Sequence, residues 1–401
     1  MNHRVPPESF VSFDDTAVAF ESKSDKDLNF SIFMFKLMGR PWLVKLGTTL
    51  TQLGLNLRLP IEPIIRATVF RQFCGGESIE DCEPKIKQLG KSNIGSILDL
   101  SVEGQQDEGS FDRASDELLR LVENASKNNE VPVCCMKVSA IARYTVLEKV
   151  ASGEDLNQQE KKEYANVVRR LNLICGAAEK NNVPVYIDAE ESWIQDAIDR
   201  LTETMMTRYN KKKAYVFITF QFYRTDRLDY LKKLMATAER EKFHVGGKFV
   251  RGAYMEKERK RAEDMGYPDP IQPTKEATDA DFNAALDFAL DHLDRLEFVC
   301  GTHNEASCMK LVHLMHEKRI DQNHPSIYFS QLFGMSDHIS YNLSFSGFNV
   351  TKYLPYGPIR DAVPYLIRRV EENTAVAGQM GQELRLLLSE KQRREKVKAE
   401  N

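Results

Sequence analysis

Several common sequence signals are missing from this chain of 401 residues, and each absence excludes a class of protein. No GxGxxG motif occurs, which argues against a doubly wound dinucleotide-binding sheet. The longest apolar region, residues 32–59, is interrupted by cations and lacks the roughly 20 uninterrupted apolar residues of a transmembrane helix. Residues 1–23 lack the apolar stretch of a secretory signal, and their acidic side chains argue against a mitochondrial transit peptide.

The chain also has no surplus of positive charge, with 59 acidic against 55 basic side chains. Because nucleic acids are bound largely through an excess of cations, we expect no nucleic acid partner. The seven cysteines show no CxxC spacing and lie in apolar segments, so we expect buried, reduced thiols. A hydrophobic content of 42% is enough for a globular protein with a substantial core.

Short runs rich in β-branched residues alternate with longer helical patterns through most of the chain. The strand-like runs are residues 95–100, 131–139, 183–189, 215–222, 248–254, 297–303, 326–332 and 348–354. Helices are predicted at residues 111–127, 158–181, 191–209, 225–242, 279–293 and 306–318. Eight such strand runs with intervening helices predict an α/β protein of the (βα)8 TIM-barrel type.

Three segments follow from this pattern: an N-terminal all-helical arm (residues 1–90), the barrel (91–380) and a charged C-terminal helical tail (381–401). Helix signals in the arm include a capping pattern near Ser78 and Asp81. The tail ends in EKQRREKVKAEN, and we expect it to be solvated.

Active sites of such barrels lie at the carboxyl ends of the strands, which makes the polar residues there the first candidates. These are Lys137, Asp188, Glu190, Glu191, Gln221, Lys248, Arg251, Thr302, His303, Asn304 and Tyr353. Lys137 and Asp188 close neighbouring strands, so we expect them to pair in the barrel mouth. Removing either partner of such a buried pair costs ~3–5 kcal/mol.

The segment after the last strand carries a second candidate feature. Helical spacing places Tyr365, Arg368, Arg369 and Glu372 on one face, nearly opposite the apolar Val363, Leu366, Ile367 and Val370. Paired arginines suit bidentate binding of a carboxylate or phosphate, although twin arginines on a helix are often simply solvated. No metal site is predicted, because the HLMHE run at His313 and His316 matches no metal motif.

The sequence resembles the proline dehydrogenase family over about residues 64–380, and it is most similar to the monofunctional, mitochondrial type. The matching motifs, in order, are IIRATVFRQFCGGES (residues 64–78), MKVSA (136–140), IDAE (187–190), KFVRGAYMEKERKRA (248–262), THN (302–304), QLFGM (331–335) and YLPYGPIRDAVPYLIRRVEEN (353–373).

This resemblance implies a distorted (βα)8 barrel whose final helix lies over the carboxyl ends of the strands. It also implies FAD-dependent oxidation of L-proline to 1-pyrroline-5-carboxylate, with electrons passed to a membrane quinone and with peripheral membrane contact. The implied location is the cytoplasm, peripheral at the inner face of a bacterial membrane, or the mitochondrial matrix once a presequence has been removed.

The resemblance also assigns individual roles. The residues implied to bind and enclose the substrate are Lys137, Asp188, Ala253, Leu332, Tyr353, Tyr365, Arg368 and Arg369. The residues implied to bind FAD are Gln221, Lys248, Val250, Arg251, Gly252, Lys275, Thr302, His303, Asn304 and Glu372.

Three further functions stay open from the sequence. The bulk of Tyr353 favours proline over hydroxyproline, the substrate of a related activity in the same family. Lys137, as a lysine at a strand end, is also compatible with a Schiff-base aldolase. The third is a barrel that binds a ligand without turnover.

Overall fold

The structure, a computed structural model, describes residues 11–57, 59–101, 107–375 and 377–400. Eight strands follow one another in sequence order and close into a barrel, which confirms the predicted fold class. Neighbouring strands from β1 to β7 pair in parallel. The strands are β1 (Ile94–Leu100), β2 (Val133–Met136), β3 (Val185–Ile187), β4 (Val216–Gln221), β5 (Val245–Val250), β6 (Leu296–Gly301), β7 (Ile327–Leu332) and β8 (Val350–Tyr356).

The α-helices of the described residues fall into three groups along the chain. The first group precedes the barrel and comprises α1 (Thr16–Ala19), α2 (Asp25–Met38), α3 (Pro41–Asn56), α4 (Glu62–Ile65), α5 (Arg71–Phe73) and α6 (Ile79–Gly90). The second alternates with the strands: α7 (Glu108–Ala125), α8 (Tyr144–Ser152), α9 (Gln158–Asn181), α10 (Ser192–Tyr209), α11 (Arg227–Glu241), α12 (Met255–Met265), α13 (Lys275–Leu290), α14 (Glu305–Glu317) and α15 (Asp337–Phe345). The third follows β8 and comprises α16 (Ile359–Ala375) and α17 (Ala377–Glu400).

Local capping explains where the helices begin and end. The predicted limits of α9 are correct, because Asn157 forms a capping box with Glu160 and Asn182 ends the helix in the left-handed conformation. Helix α13 begins at Lys275, earlier than predicted, because the Thr274 hydroxyl accepts a hydrogen bond from the Ala277 amide.

Strand β5 lies closer to the N-terminus than the sequence pattern suggests. The predicted run, residues 248–254, missed Val245 and the two glycines that follow it. Gly246 lies so close to the Phe217 ring that a Cβ atom would be 2.5 Å from it. Glycine is therefore required in this strand, although it weakens the sequence signal for a strand.

Contacts divide the chain into two units. The barrel unit, Ile97–Ser330, contains most of the strands and the helices α7 to α14. Its buried interior is rich in phenylalanine, and Phe249 packs edge-on against Phe220 and Phe222 and stacks on Phe298. Such aromatic packing adds to the stability that burial itself provides.

The terminal unit joins the described residues up to Ser96 with those from Gln331 onward. As predicted, the arm before the barrel is helical. One hydrophobic core unites side chains from the arm with side chains from α16 and α17, among them Phe20, Phe35, Phe73, Leu366 and Leu387. The two ends of the chain therefore fold together.

Most of the charged C-terminal tail is exposed, as its charge predicts, but the start of its charged run is packed against the arm. Glu390 of α17 is buried and accepts hydrogen bonds from Arg393 and Arg394. Arg394 also donates to the carbonyl oxygens of Lys23 and Phe20 in the arm. Glu390 and Arg394 therefore attach the tail to the arm, which a charge count along the sequence cannot reveal.

The prediction of buried thiols is met by the described residues. All seven cysteines are free and buried. No helix in the described ranges combines the length and the apolar character needed to cross a membrane.

Candidate active site

A buried charge cluster lies inside the barrel unit at the ends of β2 and β3. Lys248 in β5 forms an ion pair with Asp188, which directly follows β3. The same oxygen of Asp188 accepts a hydrogen bond of 3.0 Å from the thiol of Cys135 in β2. The Asp188 amide donates to the Met136 carbonyl oxygen, and this bond fixes the start of the loop after β3.

Burial and charge act in opposite directions on this cluster. Burial disfavours the charged form of Lys248, but the Asp188 carboxylate outweighs it and raises the pKa of the lysine above its usual value. Burial and the same carboxylate raise the pKa of the Cys135 thiol well above its usual value. Lys248 is therefore a fixed cation and Cys135 a neutral thiol.

Asp99 in β1 completes this cluster. One ligand atom from each of Asp99, Cys135 and Asp188 lies within 4.8 Å of the others. The ammonium group of Lys248 lies 3.9 Å from the Cys135 sulfur, in the same group of atoms. A lysine thus already supplies positive charge where these acidic groups converge.

Lys137 was expected to pair with Asp188, and the structure places it near another carboxylate. Lys137 follows β2, and its charge acts on Glu190. Glu190 is buried and accepts hydrogen bonds from both the amide and the hydroxyl of Ser139. Burial raises the pKa of Glu190 to about 7, although Ser139 and Lys137 both oppose this shift.

Glu190 is thus a further candidate for function at this edge of the barrel unit. Its sequence signals were its place at the end of a strand run, shared with Glu191, and its position in the IDAE motif. Gln221, at the end of β4, donates its side-chain amide to the Glu190 carbonyl oxygen at 2.8 Å. The expected cofactor contact of Gln221 is therefore accompanied by a structural role.

A second network holds the guanidinium group of Arg251, just after β5. Arg251 donates to Asp279 of α13 at 2.6 Å, to the Thr302 hydroxyl at 2.6 Å and to the Ser307 hydroxyl of α14 at 3.0 Å. Its guanidinium carbon also lies 4.4 Å from the centre of the Phe282 ring. These contacts fix the orientation of a partly buried cation.

The same network includes further residues that the sequence singled out. Lys275 donates to the other oxygen of Asp279 at 2.6 Å. Asn304 caps α14 by accepting a hydrogen bond from the Ser307 amide. Arg251, Lys275, Thr302 and Asn304 are therefore brought together, and His303 lies between the last two in the sequence.

Asp279 links this group, although no sequence motif distinguishes it. Burial would raise its pKa, but hydrogen bonds from Lys275 and Arg251 keep the pKa below its usual value. Only the folded contacts reveal that one carboxylate orients two cations.

The loop after β5 has a special backbone. Val250 ends the strand, and Gly252 adopts a φ of 142°, a conformation that disfavours residues with a Cβ atom. A Cβ atom at Gly252 would also lie 2.5 Å from the Tyr223 ring. Ala253 follows in this loop and is exposed.

The terminal unit contains the remaining candidates. Tyr353 in β8 is buried, and its carbonyl oxygen accepts a hydrogen bond of 2.9 Å from the Phe333 amide. Leu332, at the end of β7, is partly buried against the hydrophobic core of this unit. Tyr353 and Leu332 are thus held near one another through the residues that follow β7.

Helix α16 buries more of its polar face than its sequence pattern suggests. Tyr365 is buried, and Arg369 is only 8% exposed, with its guanidinium carbon 5.2 Å from the centre of the Tyr365 ring. Arg368 is half-buried. The side chain of Glu372 lies outside the described residues.

The CGG motif of residues 74–76 contacts the end of β8 in the same unit. The Gly75 amide donates to the Pro355 carbonyl oxygen at 2.7 Å, and Gly76 forms a parallel bridge with Tyr356. A side chain at Gly76 would collide with Asp81. The motif therefore anchors the arm to the strand that leads into α16.

Comparison with known proteins identifies the family. The family model described as "Proline dehydrogenase" matches residues 82–382. A protein of Pectobacterium carotovorum named carbapenem antibiotics biosynthesis protein CarD is 35% identical over 322 residues, which are 80% of this chain and 83% of that protein.

Two further relatives cover most of this chain. Mitochondrial proline dehydrogenase 1 of Dictyostelium discoideum is 30% identical and covers 91% of this chain and 72% of its own length. Hydroxyproline dehydrogenase of Xenopus laevis is 31% identical and covers 96% of this chain and 90% of its own length.

A solved structure supports the fold. Proline utilization A (PutA) of Bdellovibrio bacteriovorus, inactivated by N-propargylglycine, superposes with a TM-score of 0.71 at 20% identity. The match covers 93% of this chain and 40% of the PutA chain, and it is evidence for the fold alone. The family model, together with two relatives that match most of the length of this chain, shows that the chain belongs to the proline dehydrogenase family.

Proposed function

We propose that this protein is an FAD-dependent dehydrogenase that oxidises L-proline to 1-pyrroline-5-carboxylate, the first step of proline catabolism to glutamate. The observation that carries the proposal is the buried cationic face of α16, which lies within the residues that the family model matches. A buried guanidinium group needs an anionic partner to offset the cost of its burial. The carboxylate of an amino acid substrate is a suitable partner for it.

Family membership implies a flavin, and the residues of the barrel unit suit FAD in particular. Arg251 presents a guanidinium group that Asp279, Thr302 and Ser307 hold in place, and Lys275 is an exposed cation nearby. Two positive charges with hydroxyl donors are the chemistry that binds a pyrophosphate. We propose that these residues, with His303, Asn304 and Glu372, hold the pyrophosphate and adenosine end of FAD.

The loop after β5 would border the flavin ring. Val250, Gly252 and Gln221 would contribute close backbone and amide contacts there, which the conformation of Gly252 favours. We propose that Lys248 acts beside the ring through its ion pair with Asp188. When bound, the flavin would supply the acceptor for a hydride from the carbon beside the substrate nitrogen.

The chain's own residues would bind and orient the substrate. We propose that Arg368 and Arg369 bind its carboxylate and that Lys137 adds a third positive charge. Leu332, Tyr353, Tyr365 and Ala253 would line the ring and exclude water, which strengthens the charged contacts. The ring nitrogen must be neutral when the C=N bond forms, and the reaction requires no nucleophile from the protein.

Hydroxyproline oxidation is the second candidate, because one relative that covers 96% of this chain bears that name. A ring hydroxyl needs space beside the substrate ring, and the buried Tyr353 is a large side chain for such a position. We therefore expect a higher kcat/KM for L-proline than for 4-hydroxyproline. Comparable values for the two substrates would refute this preference.

An aldolase and a non-catalytic barrel predict different observations. In a Schiff-base aldolase, borohydride would trap a carbonyl substrate on Lys137. A binding barrel without turnover would reduce no dye when L-proline is added. Neither function predicts a flavin that L-proline reduces.

The electron acceptor and the location belong to the proposal as well. We propose a membrane quinone as acceptor, with peripheral membrane contact during electron delivery. Several relatives are named mitochondrial proteins, which supports the mitochondrial matrix as the location, with the bacterial cytoplasm as the alternative.

The experiment that tests the substrate assignment is Arg368→Met. The variant should raise the KM for L-proline at least tenfold, because a bidentate contact to the carboxylate is lost, while the flavin stays bound. Arg360→Met in the same helix is the matched control, since Arg360 is half-exposed and paired with Glu62. An unchanged KM in Arg368→Met would overturn the assignment.

A further inference from the structure

An apolar stripe runs along the exposed side of α3 in the arm. It consists of Trp42, Leu46, Leu50 and Leu53 of the helix and of Leu57 directly after it, all between 49% and 64% exposed. Their spacing follows the helical repeat, so they share one face. Soluble proteins scatter single exposed apolar residues, but a continuous stripe of this length indicates an interaction surface.

The rest of α3 has partners within the terminal unit. The helix packs against α2 and α16. Helix α3 is therefore already packed on one side, and the exposed stripe is on a helix that belongs to the core of the terminal unit.

The charged residues of the segment that carries the stripe are all of one sign. Residues 28–61 contain no aspartate and no glutamate, in a chain with 59 acidic residues. The same segment contains four cations, of which Lys36, Arg40 and Lys45 are exposed. An acid-free segment with flanking cations is complementary to an anionic surface.

We propose that this stripe is a docking surface for an anionic lipid bilayer, with α3 lying in the plane of the interface. It gives a specific surface to the membrane contact of the proposed function, on which it rests. Leucines would enter the outer part of the acyl region, Trp42 would lie at the level of the headgroups, and the cations would contact lipid phosphates. A helix of 16 residues extends about 24 Å, too short to span the hydrocarbon core.

A second copy of this chain is a less suitable occupant. A two-fold contact would place the same surface of both copies together. Both would then carry exposed lysine and arginine, and the segment has no acidic residue to neutralise them. A fluid lipid surface also requires no shape complementarity from a flat stripe of leucines.

Flotation of the purified holoprotein with lipid vesicles tests the proposal without any turnover, so its outcome is independent of the proposed reaction. Vesicles of phosphatidylcholine and phosphatidylglycerol in equal parts should carry the protein upward, and added salt should weaken binding. Leu50→Glu should lower the bound fraction about tenfold. Leu173→Glu is the matched control, because Leu173 on α9 of the barrel unit is 46% exposed and is not part of the stripe.

Trp42 itself reports the contact, since the chain has only two tryptophans. In Trp193→Phe, the fluorescence of Trp42 should shift to the blue with these vesicles and be quenched by brominated acyl chains. Trp42→Phe, which leaves Trp193, should show neither effect. Trp193 contacts Lys257 and Arg261 instead.

Three results would overturn the proposal. The first is no flotation with anionic vesicles. The second is flotation that leaves Trp42 unquenched. The third is a dimer in light scattering that Leu50→Glu dissociates, without vesicle binding, which would assign the stripe to a second copy.

Discussion

Replacing Lys248 with methionine tests the charge cluster inside the barrel unit most sharply. The substitution keeps the length of the side chain and removes its charge. The side chains of Lys248 and Asp188 are only 9% and 13% exposed, so the carboxylate would be left buried without its ion-pair partner. We expect Lys248→Met to lower the free energy of unfolding by about 3–5 kcal/mol.

A double-mutant cycle with Asp188→Asn separates the pair from its surroundings. The double variant should be several kcal/mol more stable than the sum of the single effects predicts, because no unpaired charge is left. Chemical denaturation of the four proteins measures these values. The exposed pair of Lys260 and Asp264 provides the control, and Lys260→Met should cause no measurable change. Additive effects, or a loss below about 1 kcal/mol in Lys248→Met, would refute the reasoning.

The other predictions concern pH, cofactor retention and the tail. The folded pKa of Glu190 is about 7 against an ordinary 4.5, so the folded state binds the proton more tightly and stability falls as pH rises between these values. In chemical denaturation measured across pH, Glu190→Gln should abolish this decrease of about 3 kcal/mol in the free energy of unfolding. The same pH dependence in the variant as in the unmodified protein would contradict the prediction. Asp279→Asn should release flavin more readily in dialysis, because it frees Arg251, and full retention would argue against this network. Arg394→Ala should lower the free energy of unfolding, measured by thermal denaturation, by about 2 kcal/mol, whereas Lys398→Ala at an exposed position should lower it little. Equal losses in the two variants would contradict the stabilising role of the Arg394 contacts.

The periodic pattern of the sequence was sufficient to predict the barrel. Most segments show the hydrophobic periodicity of a strand or of a helix. Capping residues such as Asn157 mark where helices begin. Strand β5 was displaced in the prediction because Gly246 and Gly247 carry no side chain that marks a strand. The Phe217 ring occupies the space that a side chain at Gly246 would need.

The site was only partly predictable, because its contacts join residues from distant parts of the sequence. Lys248 reaches Asp188 from a strand that is not its neighbour, so the order of strands along the chain did not identify this ion pair. Asp279 lies in no recognisable motif, and its role is visible only from its contacts with Arg251 and Lys275 in the folded protein.

The tail shows the same limit in another form. A run of alternating charges predicts a solvated helix, and most residues from 391 to 400 are exposed. The charge pattern did not reveal that Glu390 is buried or that Arg394 is bonded to backbone carbonyl groups of the arm. A charge pattern shows which residues of a helix are charged. Whether one of them is buried depends on which other parts of the folded chain pack against it.

The absorption spectrum of the purified protein, recorded without oxygen before and after addition of L-proline, tests the central proposal most directly. We expect a flavin band near ~450 nm that is bleached when L-proline is added, because the substrate reduces the bound cofactor. A colourless protein, or a flavin band that L-proline leaves unchanged, would contradict the proposed reaction.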